Sequence, residues 1–376
     1  MEQALQQLAG NLSRHATHND ITGIWPVSSL AELGSVGAWQ WVIPVEYGGR
    51  GLDQVQLTQA YEAVAAGCLT TLLILTQRDR ACELIADGAN DALKAELLPR
   101  LARNDLLATV GISQVTTSRQ GARPALVAAA EGDDFVLNGV MPWVTSAASS
   151  DVIVTAALLS DGRQLLAAVD ARAPGVTIDK PMDLMALQAS LTSEVHCRNV
   201  RVPRAHVIRG PAANALSSGM TIRPHVVAAA GVGLAGSMAT FILAHAGSAN
   251  GALRTLAEEI SHRCDAMRER LYRITQQAAA RSAARAGTTE PGDEPAEAND
   301  EKTDLRIAVN DLLVRVAAAA LVYGKGTGFL RQMPVQRLVR EAMFFLVWSA
   351  STDVRAGTVA RLLEAPTPEV RSLSID

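Results

Sequence analysis

The sequence predicts an α+β fold in which a small β region lies between two helical regions. Apolar residues recur at helical spacing through residues 1–106, and that spacing returns after residue 212. From 107 to 212 the chain instead shows short runs with a period of two, separated by polar or glycine-containing turns. Evenly spaced strands of this kind indicate a small antiparallel barrel or sandwich. We therefore expect three domains, at residues 1–106, 107–212 and 213–376.

The first helical region is interrupted at two places. Pro99 predicts the end of a helix that includes Leu93. The segment 43–52, IPVEYGGRGL, contains a proline and three glycines, which disfavour a continuous helix and indicate a specific turn.

The central region contains a stretch that suggests a binding site. The period-two runs lie at 125–129, 135–137, 151–157, 164–169 and 194–202. Asn138-Gly139 accepts the positive φ angles of a hairpin turn, so we expect a second strand from Val140 onward. On that strand Trp143 and Thr145 would point to the same face and place an indole beside a hydroxyl. This pair suits a planar heteroaromatic ligand; the alternative is a core Trp beside a strand-favouring Thr.

The C-terminal region contains one stretch long enough to cross a bilayer. Residues 226–247 include no Asp, Glu, Lys or Arg. They are dominated by Ala and Gly, which suit close packing inside a helical core, so we expect no membrane span. Residues 278–304 combine Gly, Pro, Ala and carboxylates, and we expect a disordered loop there.

The composition excludes several classes of function. The net charge is −4 and the chain has only five Phe and four Tyr, so neither a basic surface nor stacking platforms indicate nucleic acid. The four cysteines and seven histidines show no persuasive metal-ligand spacing, so we expect free thiols and no metal. The first residues lack the basic, apolar and small-residue segments of an export signal, and we expect a cytoplasmic location.

Taken together, these features resemble the acyl-CoA dehydrogenase family of flavoproteins over nearly the whole chain. The matching segments are Pro44-x-Glu46-Tyr47-Gly48-Gly49-x-Gly51, Leu137-Asn138-Gly139 before Trp143-Val144-Thr145, Val200 to Pro203, Arg223-Pro224, Gly326-x-Gly328-Phe329 and Pro334-x-x-Arg337-x-x-Arg340-Glu341-Ala342. The resemblance implies N-terminal helices, a central antiparallel β-barrel and a C-terminal four-helix bundle.

The resemblance also implies an FAD beside an acyl-CoA or similar thioester. The positions that line the flavin ring in such proteins match Val110, Ile112, Ser113, Trp143, Val144 and Thr145. The hydroxyl of Thr145 would lie near the ring nitrogen that accepts hydride. Gly326 and Ser351 match positions that approach the FAD of a neighbouring subunit, which implies a homotetramer or homodimer. An electron-transfer flavoprotein is the candidate electron acceptor.

The sequence departs from the family at the catalytic base. The family's reaction removes an α-proton while hydride leaves the β-carbon, so a carboxylate serves as the base. A gap-free alignment puts Ser349 at the usual Glu position, and the alternative position of that Glu holds Ile222. Asp353, four residues after Ser349, would share its helix face and is the nearest substitute, unless it is simply a surface residue.

A second departure concerns the retention of FAD. The Arg and Phe that clasp the FAD of the adjacent subunit match Ala249 and Ala252. Alanine offers no charge-assisted hydrogen bond to a pyrophosphate. The stretch 113–120 keeps little of the family's pattern beyond one hydroxyl.

Three hypotheses follow from these patterns. The first is an FAD-dependent oxidoreductase that acts on the CH–CH group of an acyl-CoA or similar thioester, with an altered base. The second is a flavin-dependent monooxygenase of the same fold. The third is a non-catalytic subunit or binding protein of a hetero-oligomeric dehydrogenase, in which a partner supplies the Glu.

Overall fold

The protein consists of two compact units, each defined by its internal contacts. The computed structural model describes residues 2–116, 124–216, 224–247, 251–285 and 296–364. The first unit comprises Met1–Leu57 and Cys68–Arg223, and the second comprises Thr58–Gly67 and Pro224–Asp376. The division into three domains expected from the sequence stays a prediction.

The described residues form eleven α-helices. These are α1 (Glu2–Thr22), α2 (Val27–Ser35), α3 (Gln54–Gly67), α4 (Leu69–Ala86), α5 (Asp91–Ala102), α6 (Ser113–Thr116), α7 (Pro224–His245), α8 (Gly251–Arg285), α9 (Ala296–Gly324), α10 (Pro334–Phe344) and α11 (Thr352–Leu363). Helix α5 continues past Pro99 and ends at Ala102, close to the end predicted near this proline. The Pro99 carbonyl still accepts the N–H of Arg103 at 3.2 Å. Leu98 and Leu101 are fully buried, and their packing outweighs the backbone bond that proline removes.

The first unit contains one sheet of eight strands. These are β1 (Ala108–Gly111), β2 (Leu126–Glu131), β3 (Asp134–Val144), β4 (Val152–Leu158), β5 (Gln164–Asp170), β6 (Val176–Ile178), β7 (Ser193–Val202) and β8 (Val207–Ala212). Their order is β6-β7-β3-β2-β4-β5-β8, and β1 pairs with β4.

The sheet is open and mixed, which corrects the predicted antiparallel barrel. Among the described residues no ladder joins the end strands β6 and β8. Strands β1 and β2 both run parallel to β4, while the other pairs are antiparallel. A period of two gives the faces of a strand but not its partners, because partners are set by long-range contacts. The predicted order of helices, sheet and helices along the chain is confirmed.

Strand β3 shows that the hairpin turn expected at Asn138-Gly139 is wrong. β3 runs through this dipeptide, and the tight turn before the strand lies at Gly132-Asp133 instead. Gly139 has a φ of +128° and lies at a register shift against β7. An added Cβ at this position would lie 2.0 Å from the carbonyl oxygen of Ala125. The glycine therefore permits a bulge and a close backbone approach within the strand.

In the second unit α7 packs against the long helices α8 and α9, and α10 and α11 pack against α9. Within α7, Val226–His245 is long and apolar enough to cross a membrane, yet 72% of its most apolar window is buried within the protein. An added Cβ at Gly231 would lie 2.3 Å from Val309 Cγ1, and one at Gly233 would lie 2.3 Å from the Glu62 carbonyl oxygen. The small residues of α7 therefore allow the close packing expected of a core helix.

Helices α8 and α9 extend into the predicted loop 278–304 from both sides. α8 continues to Arg285 and α9 begins at Ala296, so the predicted boundaries of the loop are too wide. The Ala, Arg and Glu residues at its two ends favour helix. Residues 286–295 lie outside the described residues.

Candidate functional site

In the first unit, the end of β1 lies beside the end of β3. The Thr109 hydroxyl donates a hydrogen bond of 2.7 Å to the carbonyl oxygen of Thr145. Gly111 packs so closely that an added Cβ would lie 2.7 Å from the sulfur of Met141. The structure therefore brings together two of the predicted site segments, residues 110–113 and 143–145.

The Trp143 side chain presents an aromatic surface at this strand end. It is 50% exposed, whereas Val144 is fully buried. A half-exposed indole on a strand can stack against a planar ring. β3 ends at Val144 and Thr145 is only 6% exposed, so the alternation that predicted a shared face for Trp143 and Thr145 stops before Thr145.

The hydroxyl of Thr145 belongs to a chain of three buried hydroxyls. Its Oγ1 lies 3.2 Å from Thr192 Oγ1, which lies 2.9 Å from Ser190 Oγ. Each hydroxyl carries one hydrogen, and two links use two hydrogens. One hydrogen therefore remains. It belongs to Thr145, which can donate it to a ligand, when Ser190 donates to Thr192 and Thr192 donates to Thr145. Sequence reasoning could not find Thr192, because it lies 47 residues further along the chain.

Ser113 carries a buried hydroxyl without a hydrogen-bond partner among the described residues. It begins the short helix α6, which Gln114 ties to the sheet: its Nε2 donates to the carbonyl oxygens of Gly111 at 2.9 Å and Ala156 at 3.0 Å. A buried hydroxyl left unpaired costs about 1–3 kcal/mol. A ligand that bonds to Ser113 would recover this energy, so Ser113 fits a cofactor-contacting role.

Ser146 is a second such residue, and sequence reasoning missed it. It is 2% exposed, its φ is +60°, and its Oγ has no partner in the part of the chain that the structure describes. Neither a left-handed backbone nor an unpaired hydroxyl can be read from residue order. The only available signal was its position directly after the Trp-Val-Thr segment.

Val110 and Ile112 have a different placement from Ser113. Their side chains are 4% and 8% exposed and belong to an apolar core with Ile43 and Val154. A ligand at this strand end would therefore meet their backbone rather than their side chains. An exposed indole can stack on the face of a flavin ring, and an unpartnered hydroxyl can bond to its polar edge, so the two residue types suit such a ring.

The second unit holds the position predicted to replace the catalytic base, in the turn between α10 and α11. Arg306 of α9 fixes this turn, donating to the carbonyl oxygens of Phe345 and Trp348, the latter at 3.1 Å. Its guanidinium carbon also lies 5.4 Å from the centre of the Phe345 ring. Arg306 is 4% exposed, and burial lowers its pKa to about 9, which leaves it charged at neutral pH.

Ser349 follows this turn with a φ of +49° and is half-buried. Ser351 is exposed and caps α11, where its hydroxyl accepts the N–H of Val354 at 3.3 Å. Ser349 thus precedes the helix that contains the exposed Asp353, so the expected shared helix face is wrong. The expectation required one continuous helix through Ser349 and Asp353. The chain instead leaves α10 at Phe344 and enters α11 at Thr352.

The remaining predicted positions give little geometry. Gly326 lies in a 3-10 segment, Lys325–Phe329, and is exposed, with open space where a Cβ would be. Ala252 lies exposed in the first turn of α8. Ile222 and Ala249, like residues 117–120, lie outside the described residues.

Comparison with known proteins agrees with the fold and its order of elements. Residues 2–105 match the family model described as acyl-CoA dehydrogenase, N-terminal domain. The chain is 24% identical to the protein named "Probable acyl-CoA dehydrogenase YngJ" of Bacillus subtilis, covering 94% of this chain and 93% of that protein. It is 21% identical to the mitochondrial short-chain specific acyl-CoA dehydrogenase of Rattus norvegicus, over 92% of this chain and 84% of the relative.

Solved structures share the same architecture. A glutaryl-coenzyme A dehydrogenase in complex with glutaryl-CoA superposes with a TM-score of 0.81 at 21% identity, covering 96% of this chain and 94% of its own. KijD3 in complex with FMN and a dTDP-linked amino-keto sugar gives a TM-score of 0.79 at 22% identity, covering 96% and 93%. At these identities the structures show a common fold. The family model over residues 2–105 and the full-length relatives support a member of the acyl-CoA dehydrogenase family.

Proposed function

We propose that the protein is an FAD-dependent oxidoreductase that acts on the CH–CH group of an acyl-CoA or similar thioester, with an altered catalytic base. The observations that carry this proposal are the half-exposed Trp143 on β3 and the buried, unpartnered hydroxyl of Ser113 on α6, two elements that are in contact. The family's cofactor and substrate class support it. The named acyl-CoA dehydrogenase relatives align over more than nine-tenths of this chain.

The residues of the first unit would hold the flavin in complementary ways. Trp143 would stack on the ring, and Ser113 would supply a hydroxyl to its polar edge. Thr145 would donate the one hydrogen that the chain with Thr192 and Ser190 leaves free. FAD, when bound, supplies the hydride acceptor.

Ser349 would occupy the position of the proton acceptor without being able to act as one. A hydroxyl does not accept a proton near neutral pH unless a second group takes it. No hydrogen bond joins the Ser349 hydroxyl to another of the described residues. Asp353 is exposed, and the buried Glu341 of α10 accepts a hydrogen bond of 2.7 Å from Arg337. We therefore expect proton removal to be about a hundred- to ten-thousandfold slower than it is with a carboxylate base.

Two measurements test the proposal in order. The purified chain is titrated with FAD, and binding is followed by the change in flavin absorbance and fluorescence. The complex is then mixed anaerobically with short, branched, long and aromatic acyl-CoA thioesters. Slow bleaching of the flavin by one class supports the proposal, whereas FAD binding without bleaching by any thioester removes the dehydrogenase assignment.

The serine at position 349 also favours a second candidate, a flavin-binding protein that does not dehydrogenate thioesters. It could be a monooxygenase supplied with reduced flavin, and KijD3 shows that this fold holds FMN beside a sugar nucleotide. It could also be a non-catalytic subunit whose partner carries the Glu. Product formation from reduced flavin and oxygen selects the former, and co-purification with a Glu-bearing homologue selects the latter.

The expected partners complete the proposal. We propose a homotetramer or homodimer, supported by large apolar side chains on the second unit that are open in the isolated chain. Val347, Val359 and Leu363 are 70%, 56% and 81% exposed. An electron-transfer flavoprotein would accept the electrons, and the location would be cytoplasmic. Mass measurement in solution checks the assembly, and reduction of added electron-transfer flavoprotein checks the acceptor.

A further inference from the structure

A cluster of three metal-binding side chains lies on the sheet of the first unit, on β7 and at the end of β6. His196 and Glu194 are two residues apart on β7, and Asp179 directly follows the edge strand β6. His196 Nε2 lies 3.1 Å from Asp179 Oδ2 and 3.4 Å from Glu194 Oε1. One ligand atom from each residue lies within 4.8 Å of the other two.

The backbone holds the three residues in fixed positions. β7 is paired on both sides, with Val140 of β3 and Thr177 of β6 opposite His196. The Asp179 N–H donates to the carbonyl oxygen of Glu194 at 3.0 Å. Ligands that project from paired strands are positioned more accurately than ligands on loops. The cluster is therefore largely preorganised.

The ligand set and its spacing suit a divalent transition metal. A metal with bond lengths of about 2.0–2.2 Å to N and O places neighbouring ligand atoms roughly 3.0–3.5 Å apart. The two separations that involve His196 fall in this range. Two carboxylates balance the ion's charge, and an imidazole nitrogen favours zinc over calcium or magnesium.

We propose that Asp179, Glu194 and His196 form a Zn²⁺ site with open coordination positions. The ion would join the edge strand β6 to the paired strand β7 through side chains as well as backbone. The competing explanation is a hydrogen-bonded group of His196 and the two carboxylates that binds no metal, and a Zn²⁺ titration separates the two. The sequence analysis missed the site because Asp179 and His196 are far apart in sequence.

The test uses the full chain, stripped with EDTA and exchanged into metal-free buffer at about pH 8, above the ordinary imidazole pKa. Zn²⁺ is titrated by calorimetry, and thermal unfolding is recorded with and without the ion. We expect one site per chain and a rise in Tm. His196→Ala should weaken Zn²⁺ binding at least about tenfold and remove the rise in Tm.

Matched variants keep the result interpretable. His206→Ala removes another partly buried histidine of the same unit and should bind Zn²⁺ like the unaltered chain. Asp179→Asn and Glu194→Gln keep side-chain size, so they report on ligation even if His196→Ala folds poorly. Unchanged Zn²⁺ affinity in all three cluster variants, or no binding by the unaltered chain up to about 1 mM, would overturn the proposal. Neither result depends on flavin or on turnover, so the test is independent of the proposed function.

Discussion

Two regions carry the predicted site residues, and they are held in place in different ways. The segment 143–145 includes the last two residues of β3, a strand paired on both sides, and the carbonyl oxygen of Thr145 accepts a hydrogen bond from Thr109. The turn after α10 has backbone hydrogen bonds of its own, and one buried side chain, Arg306, donates to two of its carbonyl oxygens. In the ladder, many backbone hydrogen bonds stabilise the segment. In the turn, a single guanidinium makes both side-chain hydrogen bonds to the carbonyl oxygens. The β segment should therefore tolerate side-chain changes that leave its backbone in place, while the turn should respond to one substitution in another helix.

The largest effect is expected at Ser349, where a missing base can be supplied. Ser349→Glu places a carboxylate at the position that Ser349 occupies in the turn, and it should speed flavin reduction by acyl-CoA about a hundred- to ten-thousandfold. Stopped-flow absorbance under anaerobic conditions measures this rate. Ser349→Gln has nearly the same size and no basic oxygen, so it should react like the unaltered chain. An equal gain with Gln, or no gain with Glu in a chain that binds FAD, would show that the missing carboxylate does not limit the reaction.

The next largest effect is expected from a substitution that displaces the backbone of β3. Gly139→Ala forces a Cβ to within 2.0 Å of the Ala125 carbonyl oxygen at a φ of +128°. We expect a loss of at least about 3 kcal/mol in the free energy of unfolding. Urea unfolding followed by tryptophan fluorescence measures it.

Gly132→Ala is the control for this substitution. Gly132 also has a positive φ, of +63°, but an added Cβ meets no atom within 4 Å. It should cost about 1 kcal/mol, the ordinary penalty of a left-handed residue. Equal losses at the two glycines would mean that backbone conformation, and not the close approach to Ala125, sets the requirement for glycine at position 139.

The Arg306→Lys substitution tests the turn after α10, and we expect it to have an intermediate effect on stability. Both bonds come from the Nη2 atom of Arg306, and the lysine ammonium ends one bond short of that position, so one of the Phe345 and Trp348 carbonyls should lose its donor. We expect a loss of about 2 kcal/mol in stability. In a Ser349→Glu background the same change should also slow flavin reduction, while the affinity for FAD stays constant. Arg315→Lys, on the same helix but exposed and paired with Asp311, should leave both quantities unchanged.

Much of the fold could be predicted from sequence, because local periodicity follows burial. β4 and β5 were found within a residue or two since their apolar runs are bounded by the turn at Ser160-Asp-Gly-Arg163. β1 was not among the predicted strands because all four of its residues are buried, so its sequence shows no alternation of buried and exposed positions. The open sheet could not be predicted, since β1 and β2 share one edge of β4 through contacts distant in sequence.

The candidate site was predictable only in part, for a related reason. Trp143 and Ser113 were predicted through the resemblance to a family, and the structure places them on β3 and α6, which are in contact. The hydroxyl chain from Thr145 to Ser190, the left-handed Ser349 and the carbonyl contacts of Arg306 all depend on tertiary structure. Residue order gives chemical types, while hydrogen-bond partners and unusual φ angles arise only after the chain folds.

The smallest effect is expected at Ser113, and it separates a ligand contact from a packing defect. Ser113→Ala removes a buried hydroxyl that has no partner among the described residues, so the flavin-free chain should be unchanged or more stable by about 1 kcal/mol. Loss of a hydrogen bond to FAD should weaken cofactor binding about five- to tenfold. Fluorescence titration gives the affinity and thermal unfolding of the flavin-free chain gives the stability. Ser146→Ala removes a similar hydroxyl from the same strand end, and weaker FAD binding in that variant alone would move the contact from Ser113 to Ser146.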